Sequence, residues 1–134
     1  MKGKIIAIRG IVVDMQFDAQ SMPALSNAVV TAQKNGAGED VVIEVLQHLD
    51  WGAVRGIAMQ TTDGLKRGCE VSDTGAPISV PVGPEVLGRI MNVLWEPVDN
   101  AGEVKTKQRW SIYRKPPAFH ELATGIERLE TGIK

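Results

Sequence analysis

The sequence is short of cysteine and has no long apolar run. Its single cysteine, Cys69, excludes an intrachain disulfide and fits a reducing compartment. No apolar stretch approaches the roughly 20 residues that span a bilayer, and residues 1–9 carry charge too early for a signal peptide. The sequence therefore predicts a soluble, cytoplasmic protein without direct membrane insertion, in which Cys69 is a small buried residue.

The sequence also has no large excess of positive or negative residues. Fifteen Lys and Arg residues stand against sixteen Asp and Glu residues, which leaves a formal charge of −1. This balance provides no positive surface for nucleic acid or for an anionic membrane. The hydrophobic fraction of 43% is ordinary for a globular protein. The 134 residues are enough for one domain, or for a small domain plus part of another.

The glycine motifs that bind phosphate groups are incomplete. A phosphate-binding loop reads Gly-x-x-x-x-Gly-Lys-Ser/Thr, and the only Gly-Lys pair, Gly3-Lys4, has no glycine upstream. Gly36-Ala37-Gly38 supplies half of a dinucleotide fingerprint, but it precedes a predicted strand instead of following one. We interpret residues 36–38 as a flexible loop.

Residues that ligate metals or carry out acid–base chemistry are scattered. His48, His120 and Cys69 show none of the spacings of a metal site. The acidic neighbours lie at Asp14/Asp18 and Glu39/Asp40. We expect these acids on the solvated surface, where most Asp and Glu residues lie. The sequence predicts no catalytic, cofactor-binding or metal-binding residue in this chain.

Short apolar runs, separated by turn residues, fill the first 80 positions. The clearest run is 41–48, in which Val41, Ile43 and Val45 share one side of a strand. Strands are predicted at 4–9, 11–16, 41–48, 53–60 and 69–72, with a hairpin turn at 50–52. Residues 18–40 have only weak apolar groups and are expected to be looser. This spacing, without a long helix, favours a small closed β-barrel.

The pattern changes near residues 77–81. Residues 78–82 alternate as a strand does, and Pro81 favours an edge or a bend. Gly83-Pro84-Glu85 opens a predicted short helix whose apolar side continues to Met91. Residues 93–94 and 109–113 are predicted to be extended. The apolar spacing between 119 and 133 suits a helix, although Gly125 weakens that prediction.

The three tryptophans allow an alternative function. Trp51, Trp95 and Trp110 could be stacking platforms, in which case the chain would be an autonomous barrel that binds single-stranded nucleic acid or a peptide. The balanced charge argues against the positive groove that nucleic acid requires. Trp51, in a hairpin turn, is more typical of an anchor against a neighbouring protein or of a cap on the barrel.

Residues 73–99 resemble a known family. The run Asp73-Thr74-Gly75, Val80-Pro81-Val82-Gly83, Asn92-Val93-Leu94 and Glu96-Pro97 resembles the catalytic beta subunit of rotary (F-type) ATP synthases, where its barrel is followed by its nucleotide-binding domain. Further resemblance extends over 3–6, 10–14, 42–45, 47–49, 54–55, 57–59, 62–65, 67–68, 109–110 and 129–134. The combination is more similar to beta than to the noncatalytic alpha subunit, the vacuolar-type subunits or secretion-system ATPases.

The resemblance implies a mainly β fold. We expect a small closed barrel of the six-stranded type over residues 1–78, followed by the truncated start of an α/β P-loop nucleotide-binding domain over residues 79–134. The complete subunit would alternate with alpha subunits in a hexameric ring around a central stalk. It would bind magnesium-ADP and phosphate and make ATP, coupled to proton or sodium transport, as a peripheral component on the cytoplasmic face of the inner membrane.

This chain ends before the phosphate-binding loop of that family. We therefore expect it to be structural and ring-forming, to hold no cofactor and to be catalytically inert alone. Residues 79–134 would lack the large sheet on which they pack, so partial disorder or self-association is expected. Three positions depart from the family pattern: Trp95 replaces a usual Gly, Tyr113 a usual His and Ser111 a usual Pro.

Overall fold

A computed structural model describes residues 1–122, together with Gly125 and Arg128. The helix predicted between 119 and 133 therefore lies mostly outside the described residues. Its described beginning, Phe119–Glu121, is a single turn of 3₁₀-helix. Within the described part of the chain, no helix is long and apolar enough to cross a membrane.

Six antiparallel strands close into a barrel, as the sequence predicts. They are β1 (Lys2–Arg9), β2 (Val12–Gln16), β3 (Asn27–Lys34), β4 (Asp40–His48), β5 (Ala53–Ala58) and β6 (Glu70–Pro77). The order around the barrel is β1-β2-β5-β4-β3-β6, and β1 pairs with β6 at Gly3 and Val71 to complete the circle. Closure pairs strand edges that would otherwise be exposed.

The barrel interior is filled by the side chains that the alternating pattern indicates. Val41, Ile43 and Val45 of β4 are at most 1% exposed, and they meet Val13 and Met15 of β2 in one apolar cluster. Fully burying a side chain of this size contributes about 1.5–3 kcal/mol each. Cys69 belongs to the same cluster, so its predicted burial is confirmed.

The prediction that residues 18–40 are loose is wrong for β3. Val29 of this strand is fully buried, although its neighbours are mostly small or polar. β3 pairs on both sides, with β4 at Val29–Ile43 and with β6 at Val30–Ser72. Pairing with two strands that are distant in sequence stabilises a strand that its own residues barely favour.

Residues 78–122, which we call the post-barrel segment, contain little regular structure. β7 (Ser79–Val82) and β8 (Gln108–Ser111) form a two-stranded antiparallel sheet. The extended structure predicted at 109–113 is thus confirmed over most of its length.

Two other predictions in the post-barrel segment are wrong. The helix expected from residue 83 is only a 3₁₀ turn at Pro84–Val86. It ends because Gly88 adopts a left-handed conformation, with φ of +72°, and because the Asp99 carboxylate accepts the Ile90 N–H at 3.2 Å. The strand expected at 93–94 is a turn, in which Asn92 Oδ1 accepts the N–H groups of Leu94 and Glu96.

Candidate functional site

The predicted absence of a reactive site remains a prediction, and the residues weighed for one lie on separate parts of the fold. Cys69 is in the barrel core, His48 ends β4 with Nε2 at 2.7 Å from the Pro23 carbonyl oxygen, and His120 is exposed in the last 3₁₀ turn. No group of three His, Cys, Asp or Glu residues suited to a metal ion occurs among residues 1–122, Gly125 and Arg128.

The Gly36–Gly38 loop is ordered by one buried asparagine. Asn35 Oδ1 accepts the N–H groups of Ala37 at 3.0 Å and of Glu39 at 2.9 Å, while its Nδ2 donates to the Thr61 carbonyl oxygen at 3.1 Å. These bonds tie the β3–β4 turn to the connection that follows β5. The Ala37 and Gly38 N–H groups donate to Asn35, and the Gly36 N–H donates to the Asp63 carbonyl oxygen. Residues 36–38 therefore form a closed turn where a flexible loop was expected.

Asp14 is buried, which contradicts the expectation that it lies on the solvated surface. It stands on the outer side of β2, opposite Arg55 of β5 in the strand register. Arg55 Nε and Nη2 donate to the two carboxylate oxygens at 2.7 and 3.0 Å. This two-point hydrogen bond to Arg55 holds the pKa of Asp14 below its ordinary value, against the opposing effect of burial.

A second arginine stands beside the same carboxylate. Arg9 Nη1 lies 3.9 Å from Asp14 Oδ2, and the Arg9 side chain is 70% exposed. Since Arg55 already satisfies the carboxylate, Arg9 keeps most of its donors directed to solvent. Val12 and Ile57, partly exposed, flank the two arginines on β2 and β5. We call this surface the arginine face.

Glu44 is another buried acid, on the outer side of β4. It is 8% exposed, because Tyr113 covers it and donates its hydroxyl to the carboxylate. That hydrogen bond, together with burial, raises the pKa of Tyr113 above its ordinary value. Among the described residues, this is the only side-chain hydrogen bond that joins a barrel strand to the post-barrel segment.

A groove runs along the outer side of β3, β4 and β6, where the post-barrel segment approaches the barrel. Its volume is about 570 Å³. Its lining includes apolar residues of the barrel, among them Ala28, Val30 and Val42, and four charged residues, which are Glu39, Asp40, Glu96 and Arg109. We call it the acidic groove. Its size suits a ligand or a protein side chain.

The β4–β5 turn presents Trp51 almost fully to solvent. The side chain is 93% exposed, and the residue adopts a left-handed conformation, with φ of +63°. The backbone is fixed, since Gln16 Nε2 donates to the Trp51 carbonyl oxygen at 2.7 Å. At Gly52, which also has positive φ, an added Cβ would lie 2.8 Å from the Phe17 carbonyl oxygen. Trp51 thus presents an exposed indole from a fixed backbone, as an anchor against a neighbour would.

The other two tryptophans do not extend this surface into a stacking platform. Trp95 lies in the turn after Asn92, again with φ of +63°, a left-handed conformation that favours glycine. Trp110 is in β8, with the Arg114 guanidinium 3.7 Å from its ring centroid. The arrangement does not favour the alternative of a barrel that stacks successive bases.

Sequence reasoning missed two features of these surfaces, the pairing of Asp14 with Arg55 and the covering of Glu44. Both depend on partners 41 and 69 residues away in sequence, and no local sequence pattern indicates such pairs.

A comparison with protein families gives one match: residues 5–75, just over half of the chain, match the family model described as ATP synthase alpha/beta family, beta-barrel domain. The match begins within β1 and ends within β6.

Proposed function

The chain belongs to the ATP synthase alpha/beta family, and on that premise we propose that it is the N-terminal part of a catalytic beta subunit whose barrel holds neighbouring subunits in a ring. The observation that carries the proposal is the match of residues 5–75 to the barrel domain of this family. The closed six-stranded barrel over Lys2–Pro77 supports it.

We favour the beta subunit over other family members because of the motifs in the post-barrel segment. Val80-Pro81-Val82-Gly83 and Glu96-Pro97, together with Ile57-Ala58-Met59 of the barrel, resemble beta most closely. In the structure, residues 80–82 lie in β7 and Gly83 follows that strand. Glu96 belongs to the turn closed by Asn92, and residues 57–58 end β5.

A structural role fits the physical character of the barrel. A domain that keeps a ring together must hold its shape while other parts of the subunit move. The fully buried apolar cluster and the paired Asp14–Arg55 groups give the barrel that rigidity. We assign no catalytic, metal or nucleotide-binding residue to this chain, and we assign magnesium-ATP and ADP to the complete subunit.

The proposed partners are alpha subunits that alternate with beta, with the central stalk as a partner of the complete subunit. The proposed location is the cytoplasmic face of the inner membrane, as a peripheral part of the catalytic sector. Proton and sodium coupling both remain compatible with this chain, since the barrel carries no feature that selects an ion.

The test is association with an alpha-subunit barrel. We expect sedimentation velocity to show a complex when the 134-residue chain is mixed with the N-terminal barrel of an alpha subunit. Trp51→Ala should weaken that complex if the exposed indole contacts the neighbour, and Trp95→Ala, outside the barrel, is the matched control. Failure to associate at micromolar concentration would contradict the ring-forming role.

Calorimetry tests the assignment of nucleotide binding. We expect no heat of binding when magnesium-ATP is titrated into the isolated chain. Tight, magnesium-dependent binding would contradict the assignment of that site to other parts of the subunit.

A further inference from the structure

We propose that Asn35-Gly36, in the β3–β4 turn, is a site of spontaneous covalent modification that the folded barrel keeps unreactive. When the turn opens, Asn35 loses ammonia and becomes aspartate or isoaspartate, and the modified turn loses the hydrogen bonds that close it. The site is a property of the barrel itself and does not depend on which subunit the chain belongs to. The glycine after Asn35, the hydrogen bonds of the turn and the burial of the asparagine support the proposal.

The sequence makes one asparagine more reactive than the others. Asparagine is among the thermally labile residues, and its side-chain amide is attacked by the backbone nitrogen of the next residue. Glycine lets that nitrogen approach, because it has no side chain and a permissive backbone. Of the four asparagines, only Asn35 is followed by glycine, whereas Asn27, Asn92 and Asn100 are followed by alanine or valine. An unfolded chain should therefore react first at Asn35.

The reaction needs only water as a co-reactant. The Gly36 nitrogen gives its proton to solvent base and bonds to Cγ of Asn35, while the Cγ–Nδ2 bond breaks and ammonia leaves. Water then opens the succinimide ring at either of its two C–N bonds. One opening gives aspartate, and the other gives isoaspartate, in which the main chain runs through the former side chain. Gly36 and Ala37 are exposed, so water reaches the turn.

The fold engages both reacting groups in hydrogen bonds. The Gly36 N–H donates to the Asp63 carbonyl oxygen at 2.6 Å, so the attacking nitrogen is bound to another part of the chain. Asn35 is 6% exposed, and its Nδ2 donates to the Thr61 carbonyl oxygen and to Glu39 Oε2, both at 3.1 Å. Attack requires several of these hydrogen bonds to break together. The reaction therefore proceeds only from molecules in which the turn has opened.

A second asparagine has the same local hydrogen bonds but is followed by a different residue. Asn92 Oδ1 accepts the N–H groups of residues 94 and 96, and its Nδ2 donates to Glu96 Oε2. Asn35 is bonded in the same way to residues 37 and 39. Val93 follows Asn92, and its side chain, branched at Cβ, obstructs the attacking nitrogen. Asn92 thus serves as a comparison within the same chain.

Modification would weaken the turn permanently. An aspartate at position 35 accepts hydrogen bonds but donates none, so the bonds to the Thr61 carbonyl oxygen and to Glu39 would be lost. The new carboxylate would also stand beside that of Glu39, and like charges repel. An isoaspartate lengthens the main chain by one atom and removes the Oδ1 acceptor that now serves Ala37 and Glu39. Each opening that leads to reaction therefore leaves a barrel with a damaged β3–β4 turn.

The test is the rate of ammonia loss at Asn35 in the 134-residue chain, folded in buffer and unfolded in guanidinium chloride, at mildly alkaline pH. Peptide mapping by mass spectrometry gives the converted fraction at each asparagine. The unfolded chain should convert Asn35 well before Asn92. The folded chain should convert Asn35 at least about tenfold more slowly, because only the open fraction reacts.

Two matched variants test whether opening of the turn controls the reaction. Thr62→Val removes the hydrogen bond from Thr62 Oγ1 to the Gly10 carbonyl oxygen at 2.8 Å, which holds the connection after β5. It should raise the folded rate several-fold and leave the unfolded rate unchanged. Thr74→Val removes a similar hydrogen bond, to the Ala28 carbonyl oxygen at 2.7 Å near the other end of β3, and should leave both rates unchanged.

A third variant prepares one product directly. Asn35→Asp should lower the urea midpoint of the barrel, because buried hydrogen bonds are lost. Asn92→Asp makes the same change in the post-barrel segment and should lower that midpoint less. An Asn35→Asp chain as stable as wild type would contradict the predicted damage to the turn.

The rates decide the remaining claims. Conversion at Asn35 that is as fast in the folded as in the unfolded chain overturns the protection, and an unfolded chain that does not convert Asn35 overturns the site. A folded rate that Thr62→Val leaves unchanged, or that Thr74→Val raises equally, overturns the control by turn opening. None of these results bears on association with an alpha-subunit barrel, so this inference and the proposed function fail independently.

Discussion

The barrel and the post-barrel segment use their apolar residues in opposite ways. In the barrel, Ile43 and Val54 are fully buried, whereas Ile90, Leu87 and Phe119 of the post-barrel segment are 65%, 78% and 90% exposed. Every member of the main apolar cluster comes from the barrel and its turns. The barrel thus satisfies its own side chains, while the post-barrel segment presents apolar surface of the kind that a larger partner would cover.

The two regions also differ in how their polar groups are paired. Asp14 and Arg55 join two strands that are 41 residues apart, whereas Arg89 and Asp99 of the post-barrel segment are only 10 residues apart. The first pair holds a tertiary fold together, and the second closes a local turn. Local pairing explains how the post-barrel segment keeps its turns without a core of its own.

The largest expected effect tests the contrast in burial by replacing one isoleucine with alanine in each of the two regions. Ile43→Ala should lower the free energy of unfolding by about 2–5 kcal/mol, because it removes buried methylene groups and leaves a cavity in the barrel. Ile90→Ala, at a 65% exposed position, should change it by less than about 0.5 kcal/mol. Urea unfolding followed by circular dichroism measures both, and equal losses would contradict the contrast.

The next effect compares the two ion pairs. Arg55→Met leaves the Asp14 carboxylate, 8% exposed, without its two-point partner, so it should lower the urea midpoint clearly. Arg89→Met removes the partner of Asp99 in a local turn and should lower the midpoint of the barrel transition less. A larger loss for Arg89→Met would show that the post-barrel segment, and not the barrel, limits stability.

The pH dependence of stability follows from the Asp14 pair. The pKa of Asp14 is lower in the folded protein than in the unfolded chain, so the unfolded chain takes up its proton at higher pH. The stabilisation is therefore complete above the unfolded value of about 3.9, and it is lost as the pH falls through the folded value. The difference in stability between wild type and Asp14→Asn should be constant from pH 7 to 5 and should shrink below pH 4.

A smaller effect tests the connection between the two regions. Tyr113→Phe removes the hydrogen bond to Glu44 and should cost about 1 kcal/mol. Hydrogen exchange at residues 108–113 should become faster, while exchange in β4 should be little changed. Tyr113→His should retain part of the protection because it keeps a donor. Unchanged exchange in Tyr113→Phe would show that Tyr113 does not hold the segment.

The smallest effect concerns Trp95. Its positive φ is unfavourable for a tryptophan and natural for glycine. Trp95→Gly should therefore relieve local strain and change the global free energy of unfolding by less than about 0.5 kcal/mol, because the turn lies outside the barrel. Amide chemical shifts should change only between residues 89 and 99. Changes that reach the barrel would contradict the independence of the two regions.

Strands in which apolar residues clearly recur at every second position could be predicted from the sequence. β4 was found because Val41, Ile43 and Val45 recur every second residue, and a half-buried strand requires that period. β3 was not found, because its pattern includes only one fully buried apolar residue, Val29, and its stability comes from pairing on both edges. The helix predicted after Gly83 failed because Gly88 and the Asp99 side chain redirect the chain before a second turn can form.

Composition, alternation and the motifs of residues 73–99 were sufficient to indicate a mainly β chain, a closed barrel and the family. Only the tertiary structure decided which charged groups are buried and that Tyr113 covers Glu44. The physical reason is the order β1-β2-β5-β4-β3-β6, which brings residues from distant parts of the chain into register. Such proximity depends on how the strands pair around the barrel, and no property of a local run of residues encodes it.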